Sequence, residues 1–203
     1  MSQSTDEFPP GGDTGGEIPL DLRRSVPARQ LGAPGPDDAM LLRLLQSAVR
    51  VPDHGRRVPF RFLRISGAER AALGALLARR ALERDPGASD AVLDKERARF
   101  THAPVVVAVV AVLVPDDTIP ESERFSTAAC ACFALLQAAQ SFGFGAQWLT
   151  GWAAYDAPVL RALGLEGHER LAGFIHIGTP VQDVPERERP DPRALLSDWR
   201  SPA

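Results

Sequence analysis

Two short runs hold the side chains best suited to chemistry. Arg50-Val51-Pro52-Asp53-His54, followed by Pro59-Phe60-Arg61-Phe62, joins the end of an amphipathic helix to the start of a strand through a cation-rich loop. Upstream lies Arg23-Arg24-Ser25. A guanidinium is planar and pairs two oxygens of a phosphate at once, so two such forks beside a hydroxyl suit an anionic ligand. The same triplet is also what a solvated basic turn would carry. His54 follows an X-Pro-Asp turn, where Asp53 could orient the ring or raise its pKa. The other histidines, His102, His168 and His176, are scattered, so no metal site is expected. Ser47, Ser126 and Ser141 lack a Gly-x-Ser-x-Gly elbow, which speaks against a hydrolase. Gly143-Phe144-Gly145 follows a helix and precedes a strand, the reverse of the dinucleotide fingerprint, and reads as a helix cap and a turn. Trp148-Leu149-Thr150-Gly151-Trp152 stands at a strand end, where tryptophan either fills core or walls a ligand slot.

The elements that must position these residues follow from periodicity. Leu41, Leu44, Leu45, Ala48 and Val49 recur at helical spacing after the capping pair Asp37-Asp38, and Pro52 should end that helix. Residues 60–65 alternate as a half-buried strand, and 68–83 read as a helix rich in Ala, Leu and Arg. Residues 85–88 form a loop, and 90–100 a charged, exposed helix. Residues 105–114 are almost all apolar and mostly valine, as in a central strand covered on both faces. The longest helix, 122–142, is Ala/Cys/Leu-rich almost all round and must be buried, either in the domain or in a subunit interface. A strand at 145–150, a short helix at 157–163 and a strand at 171–177 closed by Gly178-Thr179-Pro180 complete the pattern. Strands and helices mix without a βαβ rhythm, so the fold class is α+β.

The 203 residues suit one domain, here 19–203, after an Gly/Pro-rich acidic tail over 1–18 that reads as disordered; a short element at 18–24 leads into Ser25. The 23 basic and 26 acidic residues give a net charge of −3, which excludes a general nucleic-acid surface. Arginine supplies nearly all the positive charge, because Lys95 is the only lysine. Cys130 and Cys132 stand two apart in a helix, facing different ways, so a reduced cytoplasmic chain without a disulfide is expected. No apolar run reaches membrane-spanning length, and no signal peptide is visible.

In order and spacing these motifs resemble the nitroreductase family, in particular its short bacterial members. The resemblance runs from about Arg23 to Pro180. It rests on Arg23-Arg24-Ser25, on the helix ending in Arg50-x-Pro52-Asp53-His54, on Pro59-Phe60-x-Phe62 and on the valine strand after Ala103-Pro104. It continues through Phe142-Gly143-Phe144-Gly145, Trp148-x-Thr150-Gly151 and Gly173-Phe174-x-x-x-Gly178-Thr179-Pro180. The resemblance implies a mixed or antiparallel central sheet flanked by helices, in an intertwined homodimer with FMN at the subunit interface. It implies hydride transfer from NADH or NADPH through flavin N5 to a nitroaromatic, quinone or similar small acceptor, with no catalytic side chain required.

Carried over residue by residue, Arg23, Arg24 and Ser25 would hold the FMN phosphate and ribityl chain. Arg50 and His54 would contact FMN, one of them placing a cation near flavin N1. Trp148, Leu149 and Thr150 would border the flavin from the other subunit, and residues 138–143 match a stretch associated with the nicotinamide cofactor. Leu149 stands where the family often has a polar or cationic residue, and Phe60 where it often has Trp. The basic pair after the last strand has no obvious counterpart, Arg187 and Arg189 being the available substitutes. The alternative is the same fold binding flavin without turnover, as a storage or sensing module.

Overall fold

The computed structural model describes residues 20–202, so the tail expected over 1–18, and the start of the short element at Ile18, lie outside the described residues. One antiparallel sheet organises the chain. Its strands are β1 (Leu31–Gly32), β2 (Phe60–Ser66), β3 (Val105–Val112), β4 (Gly145–Leu149) and β5 (Glu169–Pro180). β5 is the hub and pairs with β1, β3 and β4, while β3 carries β2 on its other side. The helices are α1 (Asp38–Ala48), α2 (Ala68–Arg84), α3 (Asp90–Ala98), α4 (Glu121–Ser141) and α5 (Ala157–Ala162).

The period-two geometry of a strand splits β3 between two cores. Val105, Val107, Val109 and Ala111 face α1 and α4, with Leu44, Ala131, Leu135 and Ala139 packed against them. Val106, Ala108 and Val110 face α2 and the segment after α3, where Leu73, Leu77 and Phe100 meet them. A strand buried on both faces therefore needs no alternation, which is why its sequence reads as unbroken valine and alanine.

The ends of the elements have local causes. The Asp37 carboxylate caps α1 by accepting the Met40 N–H at 2.8 Å. α1 stops at Ala48, before Pro52 is reached. α4 ends at Ser141, and Gly143 follows in the left-handed region at φ +82°, where a side chain would be strained. Two expectations need correction. β5 does not close at Ile177: it runs to Pro180, because Gly178 still pairs with Gly145 and Thr179 with Gly32. α3 ends at Ala98, and the stretch expected to be exposed buries Leu93, Glu96 and Phe100, the last of them against α2 and the sheet.

β5 carries a bulge. Val109 pairs with Gly173 and Val110 with Leu171, leaving Ala172 as an extra residue. The bulge turns Ala172 toward the α4 side and Phe174 toward the α2 side. A side chain at Gly173 would run into the indole of Trp148, whose Nε1 donates to the Ala172 carbonyl at 3.1 Å.

Candidate functional site

The segment after Arg24 is stitched to the start of β4. Val26 N–H donates to the Ala146 carbonyl at 3.0 Å, and Ala28 N–H to Gln147 Oε1 at 2.6 Å. Arg24 N–H donates to Gln140 Oε1, near the end of α4, at 3.1 Å. These bonds hold Arg23, Arg24 and Ser25 at the C-terminal end of α4. Arg23 Nη1 donates to Ser25 Oγ at 3.2 Å. Arg24 donates through Nε to Glu186 at 2.9 Å and through Nη1 to the Val184 carbonyl at 3.0 Å. Arg189 donates through Nη2 to the Arg23 carbonyl at 3.4 Å and to Glu186 at 2.6 Å. The result is a cleft of about 570 Å³ lined by residues 20–24, Glu186 and Arg189, with three guanidinium groups against the carboxylates of Asp21 and Glu186. Such a donor set suits a phosphate.

A second groove, about 670 Å³, runs along the solvent side of α4. Arg43, Arg50, Phe133, Gln137 and Phe142 are in its wall, which includes two guanidinium groups and no carboxylate. Arg43 lies over the Phe142 ring, 5.3 Å from its centroid. Gln137 Oε1 is buried without a hydrogen-bond partner. α4 was expected to be covered all round. Within the chain its Ala128, Ala131, Cys132 and Leu135 face is buried, while Cys130 and Phe133 are exposed along this groove. Of the stretch 138–143, Ala138, Ser141 and Phe142 line it.

His54 lies elsewhere. Its Nδ1 pairs with Glu123 Oε2 at 2.8 Å, in the first turn of α4. Asp53 is not its partner: the Asp53 carboxylate accepts the backbone N–H groups of Arg57 and Val58, at 3.2 and 2.7 Å. That clasp holds a tight turn in which Arg56 and Val58 adopt φ +52° and +48°. For a β-branched valine this is strained backbone. Asp116 anchors the same turn through Arg57 Nε at 2.7 Å. The backbone N–H groups of Thr118 and Ile119, with help from Arg57, draw the Asp116 carboxyl down to about 2.

Glu123 and Gln140 are 17 positions apart on α4, about 25 Å along the helix axis. Arg23-Arg24-Ser25 and His54 therefore sit toward opposite ends of α4 in one chain, with Arg50 on the groove between them. Trp148, Leu149 and Thr150 run on along and beyond β4; Thr150 is four residues past Ala146, roughly 13 Å away. Trp148 packs into the α1–α4 core, and its N–H is committed to Ala172. Leu149 pairs with Phe174 and is half-buried, as is Thr150.

Glu186, Gln140, Arg43 and Gln137 carry no spacing signal in the sequence. Arg24 and Glu186 meet across 162 positions. Arg189 could be found only through the resemblance, as a substitute for a basic pair. Arg187 contributes its backbone N–H to Glu186 at 3.0 Å. Among the described residues no three His, Cys, Asp or Glu side chains gather as a metal site would require, and no helix is long and apolar enough to cross a membrane.

A model of the nitroreductase family matches residues 20–179. A Haemophilus influenzae protein named "Putative NAD(P)H nitroreductase" is 32% identical over 161 residues, which is 79% of this chain and 86% of that protein. Among solved structures, the nitroreductase-like family protein from Bacillus cereus matches with a TM-score of 0.75 at 20% identity, covering 90% of this chain and 95% of that one. A variant of the FMN and NADPH-dependent nitroreductase NfnB from sphigopyxis sp. strain HMH matches with a TM-score of 0.68 at 20% identity, covering 89% and 96%. The two structures share this chain's fold.

Proposed function

The chain belongs to the nitroreductase family and is an oxidoreductase, and from that premise we propose that it is an FMN-dependent NAD(P)H enzyme that reduces a nitroaromatic, quinone or similar small acceptor. The observation that carries the reading is the cleft where Arg23, Arg24 and Arg189 converge, with Ser25 bonded to Arg23 beside it, because it offers a phosphate its charge and its donors together. A carboxylate already bridges Arg24 and Arg189 there, so the seat accepts an anion. When bound, FMN would supply the hydride chemistry at its N5. The protein's part is to bind, orient and polarise. Arg23 and Ser25 would hold the phosphate end. Arg50, on a groove wall without carboxylates, would set a fixed positive charge against the negative charge that the ring system gains on reduction.

We infer a homodimer from the same geometry. The phosphate seat and His54 lie too far apart in one chain for a single mononucleotide to touch both. Exposed Phe133 and Phe142 on the intervening groove also want a cover. A second copy packed α4 to α4 in the opposite direction would bring its His54 turn beside the first copy's Arg23-Arg24-Ser25. His54 would then serve the partner's flavin, with Leu149 and Thr150 bordering the ring. Titrating apoprotein with FMN while following flavin fluorescence tests the cofactor. Saturation near one FMN per chain is expected, with bleaching of the bound flavin by NADH or NADPH and a dimer by light scattering. No saturable change at micromolar protein refutes the cofactor assignment, and a monomer across a wide concentration range refutes the shared site.

A further inference from the structure

Glu186 occupies the seat assigned above to phosphate. Its Oε2 accepts from Arg24 Nε at 2.9 Å, and its Oε1 accepts from Arg189 Nε and Nη2 at 3.0 and 2.6 Å. The Arg187 backbone N–H adds a fourth bond at 3.0 Å. That backbone N–H foremost, then the guanidinium groups of Arg189 and Arg24, hold the Glu186 carboxyl below the usual carboxylate range, so it is charged at neutral pH. Two of the three guanidinium groups in the cleft are thereby engaged by an anion from the chain itself.

A carboxylate and a phosphate cannot share these forks, because like charges at such range repel. We propose that Glu186 is an internal competitor for the phosphate seat: it bridges Arg24 and Arg189 and must swing out when an organic phosphate enters, so that it sets the affinity for FMN and leaves uncharged flavin unaffected. The proposal rests on the phosphate assignment of the Arg23–Ser25 cleft. Arg24 and Glu186 side chains are 42% and 45% exposed, so Glu186 can leave into water without uncovering core. Ion pairs this exposed are weak, which makes the competition reversible and its effect a matter of a few-fold.

The test titrates apoprotein of the wild type, Glu186→Gln and Glu186→Asp with FMN and with riboflavin, reading flavin fluorescence. Glu186→Gln should bind FMN about three- to fivefold more tightly, a gain that added salt diminishes. Its riboflavin affinity should stay within about twofold of wild type, since riboflavin has no phosphate to compete. Glu186→Asp keeps the charge and should stay close to wild type for both. Unchanged or weaker FMN binding in Glu186→Gln overturns the proposal, as does equal tightening toward both flavins. Failure of the underlying phosphate assignment looks different: wild type would then bind FMN and riboflavin alike, or neither, and the role of Glu186 falls with it.

Discussion

The cleft at Arg23-Arg24-Ser25 and the patch where Trp148 crosses Gly173 both belong to segments expected to touch a flavin, yet they are built in opposite ways. The cleft is open, and two stretches of chain distant in sequence meet there through charged side chains that water can reach. The Trp148 patch is closed. Its indole fills the space a side chain at Gly173 would need, and its N–H is bound to a backbone carbonyl. The first arrangement leaves donors for a ligand, whereas the second uses its groups to hold two strands in register. Residues alike in sequence promise thus divide into one set whose loss should weaken binding and another whose loss should weaken the fold.

The largest effects should come from the closed patch. Gly173→Ala forces a Cβ into the Trp148 indole beside the β5 bulge, and should destabilise the protein by about 3 kcal/mol in urea unfolding. An unchanged midpoint would mean that the indole is free to shift, and the division between the two regions would blur. His176, three pairs further along β5, gives a pH counterpart. Burial foremost, with the nearby positive charges of Arg99 and His102, lowers its pKa from 6.5 to about 4. Its ring stacks on Phe100, and its Nδ1 has no partner. Below pH 6.5 the unfolded chain takes up a proton that the folded chain refuses until about pH 4. Its contribution is therefore complete above pH 6.5 and is lost as pH falls toward 4, on the order of 3 kcal/mol in all. Unfolding curves of wild type and His176→Leu across that range should differ in slope, and parallel slopes would contradict the burial argument.

Next in size is the open cleft. Arg23→Ala should weaken FMN binding roughly ten- to a hundredfold, because a charge-assisted hydrogen bond to phosphate is worth about 1.5–3 kcal/mol. Riboflavin binding and unfolding stability should barely change. Equal loss for both flavins would remove Arg23 from the phosphate seat. Arg50→Ala should leave FMN bound but lower its midpoint potential, since reduction would then proceed without that cation; an unchanged potential would place the charge elsewhere. The smallest effect should come from the turn that carries His54. Val58→Gly relieves a left-handed valine and should raise stability by about 1 kcal/mol, with Val58→Ala giving less because it keeps a Cβ. A loss of stability in Val58→Gly would show that packing, not strain, dominates there.

Much of this molecule is legible along the chain. The valine strand, the capped α1, the length of α4 and its end near Gly143 all follow from signals contained within a helix turn or a strand. The resemblance that joins Arg23-Arg24-Ser25 to the Arg50–His54 loop likewise depends on order and spacing alone. Other features needed the fold. Asp53 is next to His54 in sequence, but its carboxylate turns back to the N–H groups of its own turn, and Glu123 takes the ring instead. α4 looks apolar on every side, yet the sheet and α1 cover only part of it and leave Phe133 in the open.

By itself, then, the sequence determined which segments are helix and strand and which residues carry charge, because periodicity and capping are local properties of a chain. Only the tertiary structure decided that Glu186 lies across Arg24 and Arg189, that Trp148 is committed to a bulge in β5, and that the two cationic runs sit toward opposite ends of one helix. Those outcomes depend on how strands distant in sequence come into register, and on a β-bulge that reverses which face each later residue presents. Spacing along the chain carries no record of either, because a hydrogen bond across 162 positions has no period.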